Sequence, residues 1–236
     1  MNAILASSSE IYGSDYLEYL HPEMKKLYKD TDEVLFIPFA RPNGQSHDEY
    51  AAKAERGFKP IGKKIYSLHE ASDYKAAIKS AKAIFVGGGN TFLLVHQLYK
   101  YDLISVLKEA ILSGTPYLGT SAGCNISGRT MQTTNDMPII RPKSFKTMGV
   151  VPFNFNVHYR ETDPKGKFRG ETRQVRIKEF QTIHNTAVIG LREGSWLRVL
   201  NDDIVLKGEL QAKVFKRGQE PYEIDPKTSI KEALGL

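Results

Sequence analysis

Short, almost wholly apolar runs alternate along the first half of the chain with stretches that carry apolar residues at helical spacing. Residues 3–6, 34–38, 64–68, 83–86 and 116–119 predict five strands. Between them, residues 15–29, 48–57, 72–81, 91–99 and 103–112 predict helices. Ser72 or Asp73 is suited to cap the third helix and Gly114 to stop the last. Strand runs without polar alternation fit a sheet buried on both faces. Their alternation with helices predicts an α/β fold, a mostly parallel sheet flanked by helices.

Beyond residue 140 the rhythm shortens. Residues 150–157 are apolar and aromatic, and 170–182 predict a helix. Runs at 187–191, 196–200, 203–206 and 212–215 then come close together with turn residues between them. They predict antiparallel strands that finish the sheet at one edge. No repeat or low-complexity linker interrupts the chain, so residues 1–236 read as a single α/β domain.

Hydrophobic content of 41% and charged content of 25% are those of an ordinary globular protein. The single cysteine, Cys124, excludes an intramolecular disulfide and fits a reducing compartment. The first residues lack a basic, then apolar, leader, and no apolar run approaches a membrane span. A cytoplasmic protein without membrane contact is expected, as a monomer or small homo-oligomer.

The net charge of +6 is concentrated in residues 141–180. Arg141, Lys143, Lys146, Arg160, Lys165, Lys167, Arg169, Arg173, Arg176 and Lys178 there face only Glu161, Asp163, Glu171 and Glu179. Such a segment is a solvated basic face or a field that draws in an anionic substrate. No nucleic-acid-binding motif accompanies it, so nucleic acid is not the expected partner.

The chemistry centres on Gly119-Thr120-Ser121-Ala122-Gly123, which follows the apolar run Pro116-Tyr117-Leu118. A buried strand entering G-x-S-x-G is the pattern of a nucleophile elbow, in which a sharp strand-to-helix turn presents the serine hydroxyl to a cleft. Serine needs an adjacent base. Of six histidines, His158 ends the apolar stretch at 153–157, where a sheet edge could hold it rigidly. An imidazole base needs an acid to fix its tautomer. Asp136 and Glu193 both qualify, and chain order does not choose between them. For the oxyanion, the Ala122 N–H follows the nucleophile at a helix start, and the Gly87–Gly89 turn offers a second donor, Gly88 first. That turn matches neither dinucleotide-binding nor P-loop spacing.

Phe36-Ile37-Pro38-Phe39-Ala40, Val86-Gly87-Gly88-Gly89-Asn90-Thr91-Phe92, Ser121-Ala122-Gly123, the stretch 133–139, Gly170-Glu171-Thr172-Arg173 and Val188-Ile189-Gly190-Leu191 occur in one order along most of the chain. Together they resemble the α-aspartyl dipeptidases of the S51 serine peptidase family. The resemblance implies a core similar to class I glutamine amidotransferases, a flavodoxin-like arrangement with serine in place of cysteine. It implies hydrolysis of dipeptides with an N-terminal aspartate, without metal or organic cofactor. Carried over, Ser121 is the nucleophile, His158 the base, and Gly88 and Ala122 the oxyanion donors. The acid is Glu193 or Asp136. The strand-end mount of Glu193 favours it, with Asp136 kept as a site residue that orients substrate.

An aspartyl side chain is an anion, and arginine reads carboxylates bidentately. Arg173, inside a matching motif and sharing a helix face with Arg176, is the candidate for that carboxylate; a surface ion pair with Glu171 or a neighbour is its structural alternative. Thr120 and Cys124 stand where the bacterial dipeptidases have Trp and Ala. Thr120 is closer to the cyanophycinase branch, which leaves a β-aspartyl peptidase as one alternative and a non-enzymatic polyanion binder as another.

Overall fold

The computed structural model of the chain describes residues 1–42, 44–162 and 170–236. Lys165, Lys167, Arg169 and Asp163 of the basic segment lie outside the described residues. In chain order the elements are β1 (Asn2–Ala6), α1 (His21–Leu27), β2 (Glu33–Ile37), α2 (His47–Phe58), β3 (Lys64–Ser67), α3 (Tyr74–Ser80), β4 (Ile84–Val86), α4 (Thr91–Lys100) and α5 (Ile104–Leu112). They continue with β5 (Tyr117–Thr120), α6 (Ala122–Asn125), β6 (Asn154–Val157), α7 (Arg173–Ile183), β7 (Val188–Leu191), β8 (Trp196–Leu200), β9 (Asp203–Lys207), β10 (Ala212–Phe215), β11 (Tyr222–Ile224) and α8 (Ile230–Leu234).

A seven-stranded sheet runs in the order β3-β2-β4-β5-β1-β8-β9. Its first five strands are parallel, and β8 and β9 add antiparallel at one edge. Each parallel strand divides its side chains between two cores, as the two-residue period requires. Ala3 and Leu5, Leu35 and Ile37, and Ile84 and Val86 face the core built with α3, α4 and α5. Ile4 and Ala6, Val34 and Phe36, and Phe85 face the other, built with α1 and α2. Burial on both sides explains why these strands read as unbroken apolar runs.

The C-terminal strands do not all join that edge. β7 and β10 belong to a second, four-stranded sheet, β11-β10-β7-β6, in which β6 and β7 are parallel. Hydrophobic patterning marks a segment as strand but does not name its partner, so the split was not legible. Phe155, Val157, Ile189, Leu191 and Val214 of this second sheet join the same core as Leu5 and Val86.

Helix ends follow local chemistry. Ser46 and Glu49 form a reciprocal capping box at α2, Asp73 caps α3 and Thr172 caps α7. The stretch expected as helix over 15–29 begins with a 3₁₀ turn (Glu18–Leu20), and α1 follows with Pro22 in its first turn, where a missing N–H costs nothing. Among the described residues no helix is long and apolar enough to cross a membrane.

Candidate active site

Ser121 sits between β5 and α6 with φ +52° and ψ −110°. A non-glycine residue holds such a backbone only where its surroundings impose it, and the strain belongs to the elbow geometry. The Ser121 N–H donates to Ala6 O at 3.0 Å, tying the elbow to the end of β1. The neighbouring glycines make the close approach feasible. A Cβ on Gly119 would lie 2.4 Å from Gly123 O, and one on Gly123 would lie 2.2 Å from Val86 O.

His158 immediately follows β6, also with a positive φ of 53°. Its Nε2 lies 3.0 Å from Ser121 Oγ, and its Nδ1 lies 2.8 Å from Glu193 Oε1. A carboxylate only accepts, so in the neutral imidazole the proton sits on Nδ1 and the Nε2 lone pair faces the hydroxyl. The three residues form one hydrogen-bonded row drawn from both sheets.

Asp136 lies elsewhere. Its Oδ2 accepts from the Thr91 N–H at 2.7 Å and from Thr134 Oγ1 at 2.9 Å, so it closes the N-terminus of α4 beside the capping side chain of Asn90. Gly88 lies against the serine: a Cβ there would be 3.0 Å from Ser121 Cβ. Tyr50 Oη donates to Gly88 O at 2.9 Å and so holds that peptide's orientation. The Ala122 N–H opens α6 and has no acceptor within the helix. Cys124 is fully buried, and burial pushes its thiol well above the usual range, which keeps it protonated.

A cleft of about 550 Å³ is lined by Asn135, Arg160, Glu161, Glu171, Arg173 and Arg176, with Thr162 and Thr172. Asn135 Nδ2 donates to Val157 O at 2.8 Å, placing the cleft wall beside the residue before His158. Arg173 is half-buried. Burial, with the charge of Arg160 added, lowers its guanidinium pKa, and the charge of Glu193 works in the opposite sense. Among the described residues its Nη1 is buried without a hydrogen-bond partner. Glu171 pairs with Arg176 Nε at 3.6 Å, and no Arg173–Glu171 ion pair occurs among the described residues.

Four of the other histidines make hydrogen bonds away from this row. His21 Nε2 lies 2.8 Å from Gly57 O, His96 Nδ1 lies 3.3 Å from Arg141 O, and His184 Nε2 lies 3.3 Å from Gln132. Asp48, His69 and Glu70 bring potential metal-ligand atoms within 4.8 Å of one another. His69 already spends both ring nitrogens, on Ser67 Oγ and Asp48 Oδ1, each at 2.7 Å, so the cluster reads as a hydrogen-bonded network.

The model of peptidase family S51 matches residues 3–207. The chain belongs to this family. Membership makes it a peptidase, and the strained serine at the end of β5 lies within the matched segment. Peptidase E of Streptomyces coelicolor is 41% identical over 236 residues, covering 100% of this chain and 96% of that protein. A Drosophila melanogaster protein named "Probable alpha-aspartyl dipeptidase" is 40% identical over 228 residues, covering 95% and 94%. Among solved structures, a peptidase from an acI-B1 actinobacterium superposes with a TM-score of 0.72 at 19% identity, covering 97% of this chain and 96% of that one. At that identity the likeness speaks for the fold.

Sequence reasoning passed over Ser7, Ser9 and Asn135. Ser9 Oγ lies 2.7 Å from Thr120 Oγ1, and Ser7 reaches His158. For the two serines the one signal was position: Ser7-Ser8-Ser9 follows the first parallel strand at its carboxyl end, where α/β sheets build sites.

Proposed function

We propose that the chain is a serine dipeptidase that removes an N-terminal aspartate from dipeptides. The observation that carries this is the Ser121–His158–Glu193 row beside an arginine-lined cleft. Ser121 Oγ attacks the peptide carbonyl while His158 Nε2 takes its proton; Glu193 accepts from Nδ1–H and stabilises the imidazolium. The amides of Gly88 and Ala122 are the proposed donors to the oxyanion. His158 returns the proton to the leaving amine, and water then repeats the sequence on the aspartyl ester of Ser121. Arg173, whose Nη1 is buried and has no partner among the described residues, is the proposed reader of the aspartyl carboxylate. The shared core across both sheets supports treating residues 1–236 as one domain. The lone, buried Cys124 thiol supports a cytoplasmic setting.

A β-aspartyl-arginine substrate would need acids free to pair with its guanidinium. Glu161 is held by Lys213 at 2.7 Å and Glu171 by Arg176, which weighs against that substrate. The test compares hydrolysis of Asp-Leu with Ala-Leu, Glu-Leu, β-Asp-Leu and Asp-Leu-Leu, using Ser121→Ala as the blank. Ser121-dependent cleavage confined to Asp-Leu is expected. Turnover of Asp-Leu by Ser121→Ala at the wild-type rate, or no cleavage of Asp-Leu by the wild type, would overturn the proposal.

A further inference from the structure

We infer that Ser7 is the positioning residue that sets His158 and Glu193 against Ser121, an inference that rests on the function proposed above. Ser7 is fully buried and directly follows β1. Its Oγ accepts from the His158 N–H at 2.8 Å and donates to Leu191 O at 2.7 Å. Its own N–H donates to Ser195 O at 3.1 Å. Leu191 and Ser195 bracket the turn that carries Glu193, and the Ser195 N–H closes that turn on Arg192 O at 3.1 Å. Ala6, one residue earlier, accepts from the Ser121 N–H. Two consecutive residues, Ala6 and Ser7, therefore hold the backbone of Ser121 and His158 and both sides of the turn that carries Glu193.

The need for such a device is visible at His158. Its positive φ is a conformation that a histidine keeps only when neighbouring groups impose it. Ser7 Oγ holds the His158 N–H, and Leu191 O accepts the next one, from Tyr159, at 3.0 Å. Replacing Ser7 by alanine removes the acceptor from His158 and the donor to Leu191 together. The imidazole and the Glu193 turn then lose the side-chain tie between them and keep only the backbone bonds from Tyr159 to Leu191 and from residue 7 to Ser195. A misplacement near 1 Å at a reacting group costs on the order of 10²-fold in rate.

The experiment measures steady-state Asp-Leu hydrolysis by Ser7→Ala, with Ile78→Val, a buried change in α3 far from the row, as the control for lost packing. The expected result is kcat lower by about 10–100-fold with KM little changed, while Ile78→Val keeps the wild-type kcat. A second readout needs no substrate: the far-downfield imidazole N–H proton in the NMR spectrum, assigned by its loss in Glu193→Gln. In Ser7→Ala this signal is expected to move or broaden. Because it is read without turnover, a wild type that cleaves no peptide refutes the proposed function while the signal still decides the role of Ser7. Should Ser7→Ala fail to fold, Ser7→Cys keeps the side-chain size with a much weaker acceptor and is read in the same way. Wild-type kcat together with an unmoved proton signal, in whichever variant folds, would overturn the inference.

Discussion

Glu193 reaches His158 from the turn after β7, its Oε1 2.8 Å from the imidazole Nδ1 while the carboxylate side chain stays 58% exposed. Water therefore screens the pair, and its contribution is orientation of the ring more than brute charge. Glu193→Gln is expected to lower kcat by about 10²–10⁴-fold with little change in thermal midpoint. Asp136→Asn is expected to do the reverse. It weakens the anionic cap on α4, costing about 1 kcal/mol of stability, or roughly 2–4 °C, with kcat changed only a few-fold. Kinetics and thermal melts on the two variants check both halves.

Arg173 should discriminate by charge. Arg173→Ala is expected to lower kcat/KM for Asp-Leu by about 10–100-fold, the scale of one charge-assisted hydrogen bond, and to leave the slow turnover of Ala-Leu unchanged. Arg173→Lys should recover only part of the loss, because an ammonium lacks the planar fork. Parallel kinetics on the two dipeptides decide this, and an equal loss on both would remove Arg173 from aspartate recognition.

The turn bearing Glu193 has an electrostatic anchor on its other side. Arg192 Nη1 and Nη2 donate to Glu223 Oε2 and Oε1, each at 2.8 Å. The Arg192 hydrogen bonds hold the Glu223 carboxyl below the usual carboxylate range, against the effect of burial and with the charges of Arg192 and Lys213 adding to them. A depressed folded-state pKa gives stability that is complete above the unfolded value near 4.3 and disappears as pH falls through the folded value. Glu223→Gln is thus expected to lose about 1–2 kcal/mol at pH 7. Its stability should converge on that of the wild type in acid below the folded-state pKa. Urea unfolding along a pH series measures the gap; a gap that widens in acid would contradict the sign.

The parallel half of the molecule was legible because its strands are buried on both faces: Val34 through Ile37 can only be an interior run, and the elbow is a local motif whose strand, turn and helix are contiguous. His158 was legible for a similar reason, ending an apolar run at a strand terminus. The carboxylate that meets the imidazole was legible only in part: its place at the end of a strand run favoured Glu193, while the place of Asp136 at the N-terminus of α4 shows only in the packed fold. Ser7 was hidden for the same reason, since a serine in a Ser-Ser-Ser run reads as a turn until Leu191, far along the chain, supplies its partner. Arg173 fell between these cases, because its motif located the helix while only the packed fold could bury its Nη1.

The placement of β1 at the interior of the large sheet, between β5 and β8, also sets an order of events. β1 is made long before it is fully paired, because β8 comes almost two hundred residues later, and contacts of such separation form slowly. A nascent chain that has not yet delivered Glu193 and Trp196 has Ser121 but neither the carboxylate that meets His158 nor the second neighbour of β1. The Ser121–His158–Glu193 row is therefore a late product of synthesis, completed only when segments almost two hundred residues apart have met.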